Sequence, residues 1–251
     1  MPSLPAANSR VPREGNALLL AGILLIALNL RPAIAAIGPL ANTVRASTGF
    51  SSSVVGLLTA LPLLAFGIVS LLTPLATRRF GTAATLAAGL VLLSAGTAVR
   101  SLPGLFPLLG GTLLLGVGIT FGNVLLPSVV KQHYTKHYGL VTSLYSAMLG
   151  LGASLAAGFS VPLATVLPGG WRGALGCWAA LSLVALVAWV PQLGRYGRGP
   201  APGRSYGDAV RKLGGSRLAW NIALYMGLQS FAFYVVLAWL PDMLQARGAS
   251  P

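Results

Sequence analysis

The sequence predicts an all-α protein that crosses a lipid bilayer several times, and three observations carry this. Of its 251 residues, 55% are hydrophobic and 8% charged, with a mean hydropathy of +0.78; soluble domains carry about 25% charged residues. The apolar residues gather in seven runs, approximately 17–44, 52–76, 82–99, 104–130, 139–166, 172–190 and 218–240. Each is long enough to cross a hydrocarbon core about 30 Å thick as a helix. None alternates polar and apolar residues as a barrel strand does. Backbone groups in hydrocarbon need hydrogen bonds within their own segment, so the runs are helices.

The net charge of +14 comes from 17 Lys and Arg residues against Glu14, Asp208 and Asp242. In a soluble chain this balance would point to nucleic acid. Here the positive residues fall in short connections between apolar runs, where they act as topology signals and meet anionic lipid headgroups. The expected partner of these charges is therefore the bilayer with its anionic headgroups, with no nucleic acid. The lone Cys177 lies in an apolar run, allows no internal disulfide and is read as a packing residue.

The first run follows a tail, residues 1–16, that holds Arg10 and Arg13. Ala33-Ile34-Ala35 imitates a signal-peptide cleavage site, but the apolar stretch is too long and is read as a retained helix. Within it stands Leu28-Asn29-Leu30-Arg31-Pro32. Arg31 lies about 21 Å along the helix, near mid-bilayer. A guanidinium there costs about 2.5–3.5 kcal/mol on insertion scales. Apolar neighbours offset that cost during insertion but supply no hydrogen-bond partner. Such a residue marks a functional site by default. The plainer alternatives are snorkelling to an interface, or pairing with another helix for packing alone. The apolar and small residues that follow as far as Ala41 argue against snorkelling.

The remaining runs follow in order. Pro32, Pro62, Pro127 and Pro162 fall inside runs and are expected to kink their helices. With the N-terminus in the cytoplasm, twelve Lys and Arg residues fall in inner segments, and Arg45, Arg100, Arg172 and Arg247 fall in outer ones. This bias sets the expected orientation. Residues 17–190 are thus expected to form a six-helix bundle with short loops. Residues 191–217 read as a basic cytoplasmic loop, rich in Gly, Pro and Arg and mostly flexible (Gly194-Arg195-Tyr196-Gly197-Arg198-Gly199-Pro200). Asp208 to Leu213 reads as a short amphipathic stretch at the membrane surface. Residues 218–251 hold the seventh helix and the truncated start of a second bundle, whose missing C-terminal half is expected in the same chain.

Weaker patterns are also present in the sequence. Gly56-Leu57-Leu58-Thr59-Ala60 echoes Gly139-Leu140-Val141-Thr142-Ser143, and Asn29 with Pro32 loosely matches Asn123 with Pro127. Both fit an inverted three-plus-three repeat, although chance produces such matches in Gly/Leu/Ala-rich sequence. Gly116, Gly118 and Gly122 miss the dinucleotide fingerprint; Gly118 and Gly122 fit close helix packing. His133 and His137 lack the Glu of a zinc-protease motif and line a connection with Lys131 and Lys136. No catalytic triad, carboxylate pair, nucleotide loop or metal site is found, so neither an enzyme nor a cofactor is expected.

The polar groups deepest in the first, fourth and seventh runs are Asn29, Arg31, Asn123, Gln229, Ser230 and Tyr234, with Tyr145 in the fifth as a further candidate. Arg31 supplies charge and a planar fork of donors suited to a small anion. Asn123 and Gln229 donate or accept, and Tyr234 adds a hydroxyl on an apolar ring. Taken singly, each is as readily interhelical glue as ligand contact.

Pro74-Leu75-Ala76-Thr77-Arg78-Arg79-Phe80-Gly81 resembles a reduced form of the major facilitator superfamily loop between the second and third helices. The resemblance makes Arg78, Arg79 and Gly81 a gating loop, with Thr77 where an acidic residue is expected. Asn29-Leu30-Arg31-Pro32-Ala33 with Gly38-Pro39-Leu40 is similar to the cyanate and nitroimidazole transporter family of that superfamily. So are Asn123-Val124-Leu125-Leu126-Pro127 with Lys131, and Met226-Gly227-Leu228-Gln229-Ser230 with Phe233-Tyr234 and Ala238-Trp239-Leu240-Pro241. This resemblance implies twelve helices in two bundles, with a central cavity lined mainly by the first, fourth, seventh and tenth. The chain would then be the N-terminal part of such a transporter: the first bundle plus the first helix of the second.

The expected function is secondary transport of a small anionic or polar solute, cyanate- or nitroimidazole-like, across the cytoplasmic membrane by alternating access. Arg31 disfavours a strongly cationic solute, and the first six runs hold no Asp or Glu to carry a proton. A channel, a membrane sensor and a truncated fragment that transports nothing stand as alternatives.

Overall fold

The computed structural model describes residues 15–195 and 206–247, and all regular structure in them is helical. The N-terminal tail to Glu14 lies outside the described residues, as does most of the Gly- and Arg-rich linker, from Tyr196 to Ser205. Seven helical stretches among the described residues are long and apolar enough to cross a membrane. The first is assembled from α1 (Ala17–Asn29), α2 (Pro32–Ala35) and α3 (Ile37–Thr48). Then come α4 (Ser52–Phe80), α5 (Thr82–Arg100), α6 (Leu105–His133) and α7 (Tyr138–Val166). The sixth span combines α8 (Trp171–Gly176) with α9 (Trp178–Leu193). After α10 (Tyr206–Gly214), where the amphipathic stretch was expected, α11 (Arg217–Ala246) carries the seventh.

Local chemistry sets the ends. Asn16 caps α1, its Oδ1 accepting from the Leu19 amide at 2.9 Å, and Ser51 caps α4 through the Val54 amide. Several helices run about a turn beyond the apolar runs, so Arg78, Arg79 and Lys131 belong to last helical turns rather than loops. There their charge complements the helix dipole. Gly15 donates its amide to the His133 carbonyl at 2.8 Å, and the Tyr134 hydroxyl donates to the Asn16 carbonyl at 2.8 Å. The start of α1 is thereby tied to the end of α6, at what is here termed the basic end of the bundle.

Two of the apolar clusters lie toward opposite ends. At the basic end, Leu19, Ile23 and Ile26 pack with Leu86, Leu126, Val130 and Trp189. The indole N–H of Trp189 donates to the Ala83 carbonyl at 3.0 Å, joining α9 to α5. At the opposite end Leu40, Val44, Leu58, Leu108, Trp171 and Leu175 form a second core, and the Trp171 indole donates to Ser47 Oγ at 2.7 Å. Between them a small cluster of Ala33, Ile34, Leu93, Leu115 and Ile119 is covered by Tyr234 of α11. Large apolar residues such as Ile68, Leu71, Phe106 and Val187 are exposed on the outer surface, as lipid contact requires. This is a multi-pass membrane protein.

Backbone proximity rather than interdigitation holds α5 against α6. A Cβ on Gly96 would lie 2.7 Å from the Gly111 carbonyl oxygen, and one on Gly118 would lie 2.7 Å from the Leu93 amide. Glycine lets the two backbones touch where lipid supplies no hydrophobic drive. The paired reading of Gly118 and Gly122 is refined: Gly118 meets α5, whereas a Cβ on Gly122 would collide with the Leu30 side chain of the first span. Pro62, Pro127 and Pro162 sit within continuous helices, whereas the span containing Pro32 is broken beside it.

Arg100 departs from expectation. Counted as an outer-loop charge, it is instead 0% exposed at the last residue of α5. Helical side chains tilt toward the N-terminus, so a long one in the last turn reaches back into the bundle rather than out to the loop.

Overpacking a close contact costs about 1–3 kcal/mol. Gly96→Ala is therefore expected to lower the thermal midpoint of the detergent-solubilised protein. Gly110→Ala, whose Cβ would meet nothing within 4 Å, should leave the midpoint unchanged.

Candidate functional site

The site begins with missing backbone hydrogen bonds. Pro32 has no N–H to return to the Leu28 carbonyl, so α1 stops at Asn29. The Leu30 amide turns back to the Ala27 carbonyl at 3.2 Å. The Arg31 carbonyl accepts from both Ile34 and Ala35, at 3.1 and 3.0 Å, to start α2. A second interruption follows at Ala36. The fifth span presses on the break at Gly152, where a Cβ would strike the Leu28 carbonyl and lie 3.2 Å from the Pro32 ring.

At this break the half-buried Arg31 reaches the seventh span. Its Nη1 donates to the Tyr234 hydroxyl at 3.4 Å. Its Cζ lies 5.0 Å from the centroid of the Phe233 ring and 5.6 Å from that of Tyr234. The two rings meet edge to face, 5.3 Å apart at 82°. Cation–π attraction holds a guanidinium against aromatic faces without neutralising it. The position of the Arg31 guanidinium is thereby fixed.

The other predicted residues are placed less evenly. Asn29 is buried and its Nδ2 donates to the Leu25 carbonyl of its own helix at 2.7 Å. Asn123 is half-buried on α6, beside the Gly122 that meets Leu30. Gln229 and Ser230 are exposed on α11, one turn before Phe233 and Tyr234, so they continue the same two rows of the helix. Tyr145 is half-buried on α7 and packs on the basic-end cluster.

At the basic end, Arg78 and Arg79 are exposed, with Arg79 lying 5.5 Å from the Phe80 ring centroid. Gly81 makes the turn at φ +87°. Thr77 donates its hydroxyl to the Pro74 carbonyl at 3.0 Å, within its own helix.

Two features escaped the sequence reading. Phe233 carries no polar signal, yet its ring is the nearer one to Arg31. Arg100 donates Nη1 to the Ala33 carbonyl at 2.5 Å, two residues after Arg31, and its Nε and Nη2 are buried with no partner among the described residues. An arginine at the end of an apolar run before Ser101-Leu102-Pro103-Gly104 has the sequence signature of a loop charge. By contrast, the buried hydroxyls of Thr85, Ser94, Thr97, Thr112 and Thr120 all donate to carbonyls of their own helices. The polar chemistry of the middle layer thus rests on two arginines that bracket α2.

The profile of the Major Facilitator Superfamily matches residues 19–251. YycB of Bacillus subtilis, named an uncharacterized transporter, is 43% identical over 235 residues, covering 92% of this chain and 56% of that protein. The 2-nitroimidazole transporter of Escherichia coli is 41% identical over 233 residues, covering 92% and 58%. The cyanate transport protein CynX of Escherichia coli is 34% identical over 229 residues, covering 91% and 59%. The chain spans a little over half the length of these relatives. Among solved structures, that of tetrameric PepTSo2 shares the fold with a TM-score of 0.63 at 16% identity, covering 92% of this chain and 52% of that one. The chain is thus related in sequence to nitroimidazole and cyanate transporters, and it belongs to the Major Facilitator Superfamily, a family of transporters and not of enzymes.

Proposed function

We propose that this chain supplies the first, fourth and seventh helices of a central cavity through which a small anionic or polar solute, cyanate- or nitroimidazole-like, moves by alternating access. The observation that carries the reading is Arg31, held at the broken first span against Phe233 and Tyr234. A forked cation at this depth recognises a planar anion or a nitro group through parallel N–H donors. Asn123 follows the Gly122 that meets Leu30, and Gln229 and Ser230 extend the face of α11 one turn away from Phe233 and Tyr234. The names of two relatives, a 2-nitroimidazole transporter and a cyanate transport protein, agree with this chemistry.

Residues 15–207 contain no carboxylate. A strongly cationic solute therefore finds no counter-charge in the six-helix part. Within this reading, residues 17–190 act as one bundle and Arg78, Arg79 and Gly81 form the gating turn. The excess of Lys and Arg at the basic end puts that end, and the N-terminus, in the cytoplasm.

Three outcomes test this. In the full-length protein, Arg31→Ala should abolish uptake of radiolabelled cyanate and 2-nitroimidazole while membrane insertion is retained; undiminished uptake of both would remove Arg31 from the site. Tyr234→Phe keeps the ring and loses the hydroxyl. Hydrogen bonds to charged groups contribute about 1.5–3 kcal/mol, so initial rates should fall about ten- to a hundredfold. Green fluorescent protein inserted after Arg204 should fluoresce, as it does in the cytoplasm, and a dark insertion at that site with a bright one after Gly104 would reverse the orientation.

A further inference from the structure

We infer that Arg100 is a positioning residue for Arg31: it holds the short segment Pro32–Ala35 in place by donating to the Ala33 carbonyl, and so fixes where the Arg31 side chain emerges. The break leaves this segment short of internal hydrogen bonds, because α2 is a single turn bounded by interruptions at Leu30–Arg31 and at Ala36. A single turn has little stability of its own. Its position is set from outside, by Gly152 of α7 pressing on Pro32 and by the guanidinium of Arg100 reaching across from α5.

Arg100 is an expensive way to make one hydrogen bond. It is fully buried, its Nε and Nη2 have no partner among the described residues, and the sequence offers no carboxylate between Gly15 and Gly207. A buried charge without a counter-ion lowers stability, so its value lies in what it holds. The backbone under it is fixed as well: a Cβ on Gly111 of α6 would lie 2.8 Å from Arg100 Cα. The anchor therefore belongs to a helix pair whose backbones touch. Ala33 sits in the small middle cluster with Leu93 and Leu115, under Tyr234. A shift of the Ala33 carbonyl moves Arg31, two residues earlier, against its aromatic partners.

The consequence for flux rests on the reading of Arg31 as a cavity residue, but the test does not need a transported solute. Full-length protein in which Cys177→Ala, with any cysteine outside this stretch also replaced, removes free thiols and Arg31→Cys reports on the site is treated with sulfonatoethyl methanethiosulfonate. The labelling rate is compared with and without Arg100→Met. Loss of the anchor should raise the rate about tenfold, with a smaller rise for Arg100→Lys, which keeps the charge and a single donor nitrogen. Trp189→Phe removes an equally buried bond at the basic end and should lower the thermal midpoint without changing the rate. A rise under about threefold for Arg100→Met, or an equal rise for Trp189→Phe, overturns the inference and leaves Arg100 a general stabiliser. Should Arg100→Met not reach the membrane, Arg100→Gln, which loses the charge and the reach to the Ala33 carbonyl, is read on the same threshold. Failure of uptake to respond to Arg31→Ala refutes the transport reading independently of this result.

Discussion

A proline placed directly after an arginine, in the middle of a membrane helix, sets the terms for the rest of the bundle. Pro32 removes one amide from a helix that has no water to replace it, and the chain responds by dividing the first span into three pieces. Each side of the break is then attended by a different helix. The fifth span supplies a glycine that lets backbone meet backbone, the third an arginine for a carbonyl, and the seventh two aromatic rings for a cation. Three helices distant in sequence are keyed to one local defect. The packing clusters above and below serve mainly to keep that layer in register.

The distribution of polar groups follows the same logic. The buried hydroxyls of Thr85, Ser94, Thr97, Thr112 and Thr120 turn back on their own helices, which satisfies them without linking helices together. Connections between helices fall instead to a few long donors: Trp189 to Ala83, Trp171 to Ser47, Arg100 to Ala33 and Arg31 to Tyr234. Tryptophan and arginine reach a neighbour's acceptor across the 8–10 Å between helix axes, where a short side chain falls back on its own backbone. The two tryptophans tie the ends and the two arginines tie the middle.

How much of this was legible in the sequence follows from what an apolar run can and cannot encode. The spans were legible because length and hydropathy are one-dimensional quantities, and observed helices exceed the expected runs by about a turn at several ends. Arg31 stood out because a charge among apolar neighbours is costly wherever it points. In the structure its guanidinium meets the Tyr234 hydroxyl of the seventh span. Rotation about the helix axis was not legible, since a membrane helix is apolar on every side and gives no stripe to orient it. Asn29 was grouped with Arg31 for this reason, yet its amide bonds to its own helix at Leu25. Arg100 was missed for a related one: its sequence position fits both a loop charge and a buried anchor, and only the direction of the side chain distinguishes them.

One property of the six-helix part reaches beyond its solute. Acid denaturation of most proteins begins with protonation of carboxylates that are paired in the folded state. Between Gly15 and Gly207 no carboxylate exists to be protonated. The contacts that join these helices are backbone carbonyls, indoles, hydroxyls and guanidinium groups that keep their charge. Falling pH therefore protonates no carboxylate within this stretch.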